Sequence, residues 1–244
     1  MPNLRVWFYP TTVSMASKVP CFTAAHLSFV ERCSAGFPGN LSVTVTYALA
    51  SSNGLTIVMK AKALNKATPV NLVFHPFWNL GGQASGDILS EELQIYASKY
   101  TPTDAELIPT GEIVPVKDTA YDFLEARTIG SRIGELPAGY DINYALDGVT
   151  NRRGLRGVSL AAVLSDKKTG RRLEMLTNQP GLQVYSGDKL KMTGKGGAAY
   201  NAYAGVALEA QGFPNAVNQP NFPSQIVFPG QTYKHYVILK FSAS

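Results

Sequence analysis

The sequence predicts an all-β fold, an antiparallel sandwich or barrel, and three observations carry the prediction. Short segments alternate apolar and polar residues, turns rich in Gly, Pro and Asn separate them, and the helical period is scarce. Many short strands of this kind bury their apolar faces by stacking sheets or by closing one. A chain of 244 residues, 45% hydrophobic and 16% charged, is ample for a sizeable core, and its composition excludes disorder and coiled coil.

Taken in order, residues 1–35 show no clear period. They mix Arg5, Trp7-Phe8-Tyr9, Pro10 and a Ser/Thr/Ala run. We read them as a divergent segment ahead of one domain over 36–244, because the glycines and prolines are spread along the chain and mark no linker. Residues 41–47 then alternate, with Val43, Val45 and Tyr47 on one face and Ser42, Thr44 and Thr46 on the other. Ser51-Ser52-Asn53-Gly54 is a turn and 55–63 resumes the strand. The pattern recurs as a strand over 155–164, a charged hairpin turn over 166–170 and a returning strand over 172–177. Residues 120–133 are the one stretch expected to hold a turn or two of helix. In the closing strand Tyr233, His235, Val237, Leu239 and Phe241 share a face.

Charge and cysteine usage narrow the class. Lys and Arg number 22 against 17 Asp and Glu, a net charge of +5, and the basic residues are scattered apart from Arg152, Arg153, Arg156 and the 167–172 stretch. That is a mildly basic surface without the stripe that nucleic acid demands, so no nucleic-acid partner is expected. No run approaches about 18 apolar residues, and no membrane helix is expected. His26, His75 and His235 lie far apart and there is no Cys-x-x-Cys, so a zinc site is not expected. Cys21 and Cys33 are near enough in sequence to pair, with free thiols the expected state. Asn40-Leu41-Ser42 is a glycosylation triplet. Pro10 and the Ser/Thr content spoil the apolar run of a signal peptide, which makes the cytoplasm the expected address and secretion the alternative.

Four polar side chains stand in apolar settings. Glu209 lies in GVALEAQGFPNAVNQPNFPS, where a buried carboxylate must be paired or held for proton transfer. His75, in NLVFHPFWNLGG, reads on its own as a satisfied core histidine. Asp141 in AGYDINYAL and Gln183 in QPGLQVYSG each follow a glycine turn. Together, interleaved with Trp78, Tyr144, Tyr185 and Phe213, they have the composition of a pocket for a polyhydroxylated ring, which wants carboxylate and amide partners for its hydroxyls and an aromatic face for its C–H surface.

These residues also carry a resemblance. GFPGNLSVTVTY, ATPVNLVFHPFWNLGG, ELIPTGEI, GYDINYAL, TNQPGLQVYSG and LEAQGFPNAVNQPNFPS resemble, in the same order, the motifs of the aldose 1-epimerase (galactose mutarotase) family, most of all its plant members. The resemblance implies the galactose-mutarotase-like fold, a large antiparallel β-sandwich or supersandwich with the sugar in a cleft on one sheet. It implies interconversion of the α and β anomers of free aldoses such as glucose and galactose, without metal or cofactor. Such a reaction needs a base for the C1 hydroxyl proton and an acid for the ring oxygen. By the motif match Glu209 is the base, His75 meets the sugar near its ring oxygen, Asp141 holds ring hydroxyls and Gln183 is the amide beside them; Trp78 and Tyr185, from the pocket-like composition, are the expected aromatic partners. The alternative is a catalytically silent carbohydrate-binding module of the same fold. A hydrolase built on Glu209 and Asp141 would need a defined carboxyl separation.

Two departures from the family accompany this match. The resemblance implies an acid histidine between the FWNLGG and LIPTGE motifs, and alignment on ELIPTGEI sets Glu91 there instead; a glutamate donates a proton near neutrality only if its pKa is raised. His75 is the other candidate acid. Full family members also carry a block of strands before GFPG, with an Asn-Arg pair and a Leu-His-Gly-Gly segment that residues 1–35 do not match. The expectation is an N-terminally incomplete sandwich whose bare sheet edge invites dimerisation or aggregation unless the divergent segment covers it, and a monomer or weak homodimer as the assembly.

Overall fold

The computed structural model describes residues 14–15, 23–32, 36–50, 52–150 and 157–244; Cys21, Cys33, Arg152, Arg153 and Arg156 lie outside them. Alternating apolar residues build two antiparallel sheets. The larger has nine strands in the order Ser14–Met15, Thr23–Arg32, Asn40–Ala50, Gly54–Ala63, Thr232–Ala243, Arg171–Thr177, Ser159–Ser165, Glu92–Ile95 and Arg127–Thr128. The smaller has six, in the order Phe77–Trp78, Val206–Gln211, Gly181–Tyr185, Asp141–Ala145, Lys99–Thr101 and Val114–Pro115. The all-β class and the antiparallel pairing follow the sequence prediction. The strand expected to begin at residue 155 runs from Ser159 among the described residues, and the helical part of 120–133 is limited to 3₁₀ turns, Ile129–Ser131 and the start of Ile133–Glu135, after the short strand Arg127–Thr128. Thr23–Arg32 pairs with residues 40–49 of the strand Asn40–Ala50, so nearly all of that strand's edge is covered from within the chain.

The core lies between the sheets. Ile57, Met59, Leu173, Met175, Val237 and Leu239 of the larger sheet meet Ile142, Tyr144, Leu182, Val184, Val206 and Leu208 of the smaller. Each such burial removes about 1.5–3 kcal/mol worth of apolar surface from water. Between the first long strands the reversal needs a left-handed residue, and Asn53 supplies it at φ 55°. His235 joins this core fully buried, its Nδ1 3.1 Å from the Leu72 carbonyl. Burial drives its pKa down to about 3, so the ring is neutral and its Nδ1–H donates to Leu72. That bond anchors the segment that leads to His75. Among the described residues no helix is long and apolar enough to cross a membrane.

Candidate active site

The smaller sheet has one face in the core and one face turned away from it, and the register decides which residues go where. Along Val206–Gln211, Val206, Leu208 and Ala210 point into the core, which leaves Ala207, Glu209 and Gln211 on the outer face. Pairing of Asn143 with Gln183 and of Gln183 with Glu209 aligns these three side chains in one row across the sheet. Thr101 extends the row at Asn143. The next row holds Asp141, Tyr185, Ala207 and Phe77.

His75 reaches this face because the chain before Phe77 runs antiparallel to the Glu209 strand. Phe77 pairs with Ala207 and Trp78 with Val206. Pro76 has no N–H to continue the ladder. Beyond it the two segments are tied again where Asn71 Nδ2 donates to the Gly212 carbonyl at 3.1 Å and the Gly212 N–H donates to Asn71 Oδ1 at 2.9 Å. Continuing the register two residues past Phe77 and Ala207 sets His75 opposite Glu209, and His75 Nε2 lies 2.8 Å from Glu209 Oε1 with both side chains buried. The imidazole meets the carboxylate on the outer face, beside aromatic rings, with the His75 and Phe77 centroids 5.3 Å apart and Phe77 edge-on to Tyr185 at 5.9 Å.

The remaining polar groups bond to one another. Gln183 Nε2 donates to Asp141 Oδ1 at 2.6 Å, and Gln211 Nε2 donates to Gln183 Oε1 at 3.2 Å and to Asn143 Oδ1 at 3.4 Å. At the far end Gly181 lets Phe213 close over the row: a Cβ there would strike Asn143 Oδ1 and lie 3.1 Å from Phe213 Cδ1. The Asn-Pro loop that carries Phe213 is held by its own motif partner, since Gln219 Nε2 donates to the Pro109 carbonyl at 3.3 Å and Asn221 Nδ2 to the Gly111 carbonyl at 2.7 Å.

Of the expected site residues, Glu209, His75, Asp141, Gln183 and Tyr185 share this face. Trp78 does not, and the expectation that it lines the site is corrected. It pairs with buried Val206, so its indole points into the core, 5.6 Å from the Phe241 ring. Its neighbour Phe77, 37% exposed, takes the aromatic position instead. Tyr144, also a candidate aromatic, is fully buried on the core side.

Glu91 is corrected as well. It immediately precedes Glu92–Ile95 of the larger sheet and is tucked under the turn after Trp78, where its Oε1 accepts the Leu80 N–H at 2.7 Å and the Gly81 N–H at 3.3 Å. Burial pushes its pKa up to about 7 against the pull of those two N–H groups, and the Asp166 charge adds to the rise. The raised pKa that a donor needs is present, but the contacts are those of a turn clamp. Thr169 Oγ1 and Arg171 Nη1 hold the Leu80 carbonyl of the same turn at 3.2 and 2.9 Å. Phe77, Asn143, Thr101 and Gln211 also stand on this face, and the sequence reading did not single them out. A period of two counted from Asp141 and from Glu209 would have found Asn143 and Gln211.

The chain is an antiparallel β-sandwich whose outer sheet face brings an imidazole and a carboxylate together with amides, a second carboxylate and aromatic rings. The sequence profile of the aldose 1-epimerase family matches residues 14–240. The chain is 42% identical to the galactose mutarotase of Homo sapiens over 212 residues, which is 86% of this chain and 60% of that protein. It is 33% identical to the aldose 1-epimerase of Escherichia coli over 216 residues, 85% of this chain and 60% of that protein. Among solved structures, galactose 1-epimerase from Lactobacillus acidophilus superimposes with a TM-score of 0.78 at 26% identity, covering 95% of this chain and 66% of that one. An aldose epimerase homologue from C. elegans shares the fold with a TM-score of 0.81 at 24% identity, covering 95% and 68%. The chain therefore belongs to the aldose 1-epimerase family, and it spans about 60% of the length of the curated relatives it matches. Among the described residues no group of three or more His, Cys, Asp or Glu is arranged to hold a metal ion.

Proposed function

We propose that this chain interconverts the α and β anomers of free aldoses, with Glu209 and His75 as its two proton-transfer groups. The observation that carries the reading is the 2.8 Å approach of His75 Nε2 to Glu209 Oε1 on a sheet face that also carries Asp141, Gln183, Phe77 and Tyr185. The C1 hydroxyl and the ring oxygen of an aldose are bonded to the same carbon. An acceptor and a donor this close together can therefore address both oxygens at once. Glu209 takes the C1 hydroxyl proton, His75 in its protonated form gives its proton to the ring oxygen, and the C1–ring-oxygen bond breaks. The open-chain aldehyde turns about C1–C2, and the same two groups return the protons in reverse as the ring closes on the other face of the carbonyl. Each such group contributes about 10²–10⁴-fold.

Asp141 and Gln183 hold ring hydroxyls in this reading, while Phe77 and Tyr185 offer aromatic surface to the sugar's C–H face. The names of the relatives, galactose mutarotase and aldose 1-epimerase, support the same substrate class. The test is polarimetry of freshly dissolved α-D-glucose and α-D-galactose with the wild type, its Glu209→Gln variant and no protein. The expected result is faster approach to anomeric equilibrium with the wild type alone. A folded wild type that matches buffer would falsify the reading and leave sugar retention without catalysis as the function to examine.

A further inference from the structure

We propose that Gln211 is a positioning residue of this site, acting through Gln183 to set the polarity that Asp141 and Gln183 present to a sugar; the proposal rests on the anomer-exchange reading above. Gln211 is the last residue of the Glu209 strand, on the same face as Glu209, and only 8% exposed. Its register partner is Gly181, which has no side chain to fill the row beside it. The amide thus reaches Gln183 and Asn143 on the two neighbouring strands.

The direction of this network follows from chemistry. An ionised carboxylate only accepts hydrogen bonds, so the Gln183 NH₂ must face Asp141. With its nitrogen committed there, Gln183 turns its carbonyl oxygen to Gln211. Asn143 also turns an oxygen to Gln211, because its own NH₂ donates to Thr101 Oγ1 at 3.2 Å and the Thr101 hydroxyl donates to the Asn143 main-chain carbonyl at 3.4 Å. Two acceptors converge on Gln211, and only an NH₂ meets both. Gln211 therefore stands at the head of a one-way donor chain that ends at Asp141. The polarity so fixed presents donor N–H at Gln183 and acceptor oxygen at Asp141 to whatever binds on this face.

Gln211→Glu keeps the shape and, once ionised, reverses the chemistry, since a carboxylate offers no hydrogen to either acceptor. Gln183 is then drawn to turn its NH₂ toward the new carboxylate and away from Asp141. The expected result at pH 8 is a KM for α-D-galactose raised by about tenfold or more, the scale of one hydrogen bond to a charged group, with kcat changed less than about threefold. As the pH falls and the new carboxyl regains its proton it donates again, so KM should return toward the wild-type value. Gln211→Leu, which has no proton to regain, should show no such recovery. A KM for Gln211→Glu within about twofold of wild type, or a loss in KM and kcat alike with no recovery at low pH, would overturn the proposal. A second readout does not depend on activity or on a variant that folds poorly. In the wild type, the Gln183 side-chain NH₂ signals, identified by their disappearance in Gln183→Glu, should exchange with solvent at least about tenfold more slowly than those of exposed glutamines; fast exchange would also overturn the proposal. A wild type that does not exchange anomers sinks the catalytic reading instead, and the amide exchange then decides the donor chain by itself.

Discussion

Glu209 and Glu91 are both carboxylates with 2% of their surface exposed, and they keep opposite company. Glu209 faces an imidazole at 2.8 Å on a sheet face that carries Asp141, Gln183 and two aromatic rings. Glu91 accepts two main-chain N–H groups of a turn, and its Oε2 is buried without a hydrogen-bond partner among the described residues. Burial, aided by the Asp166 charge and opposed by the two N–H groups, moves the pKa of Glu91 up to about 7, the value a neutral-pH acid wants, yet its hydrogen bonds go to the Leu80–Gly81 turn and not to the face that carries Glu209. Proton-transfer chemistry needs a second titrating partner within reach of the same reacting atoms, and the perturbed pKa is secondary to that geometry. The alternation of a strand supplies such a partner to Glu209, whereas the turn after Trp78 withholds it from Glu91.

This contrast is open to direct attack by substitution. The largest effect expected is at the pair itself. Glu209→Gln should slow anomer exchange by about 10²–10⁴-fold, on the order of 3–5 kcal/mol in the barrier, while a thermal melt shows the fold retained. Because the two groups serve one proton cycle, the double variant His75→Asn/Glu209→Gln should be little slower than Glu209→Gln, and multiplicative losses would show that they act independently.

Next in size, and read as stability rather than rate, is the division between Trp78 and Phe77. Trp78→Ala empties a core position and should cost about 3 kcal/mol or more in denaturant unfolding.

Glu91→Gln should act on stability and in a pH-dependent sense. A folded-state pKa above the ordinary value of 4.5 means that the native state binds the proton more tightly, so this carboxyl favours the fold below about pH 4.5 and its contribution is lost as the pH rises through about 7. The variant should therefore gain up to about 3 kcal/mol over the wild type at pH 8 and little at pH 4. His235 runs the other way. Its pKa falls from 6.5 to about 3 on folding, so its contribution is full above pH 6.5 and lost as the pH drops toward 3. Stability curves of the wild type and Glu91→Gln that stay parallel from pH 4 to pH 8 would break the account of Glu91 as a buried acid.

The smallest effect belongs to Phe77→Ala, which should raise KM for the sugar several-fold, about 1 kcal/mol, with little change in unfolding.

How much of this was legible in the sequence differs by residue. Residues 41–47 and 233–241 alternate over enough positions that their faces are unambiguous, and Val43, His235, Val237 and Leu239 are buried as that pattern requires. Asp141, Gln183 and Glu209 were found as polar residues inside apolar strands. The same count of two extends each to Asn143 and Gln211, which escaped notice because each lies at a short strand's interior or end beside residues that drew attention first. The Phe77–Trp78 strand is two residues long, too short to show a period, and only its register against Ala207 and Val206 says which ring faces out. For Glu91 no local signal existed. Its neighbours in sequence resemble a site motif, but its hydrogen bonds go to Leu80 and Gly81, and the Asp166 hairpin that secures the same turn is far along the chain.

The central claim is that chemistry follows the Glu209–His75 contact and not the perturbed acid. Anomer exchange measured side by side for the wild type, Glu209→Gln and Glu91→Gln, at one pH and with each variant folded, tests it most directly. The account predicts a loss of at least about 100-fold for Glu209→Gln and a rate for Glu91→Gln within about threefold of wild type. A Glu91→Gln variant as slow as Glu209→Gln would contradict it, returning Glu91 to the proton path.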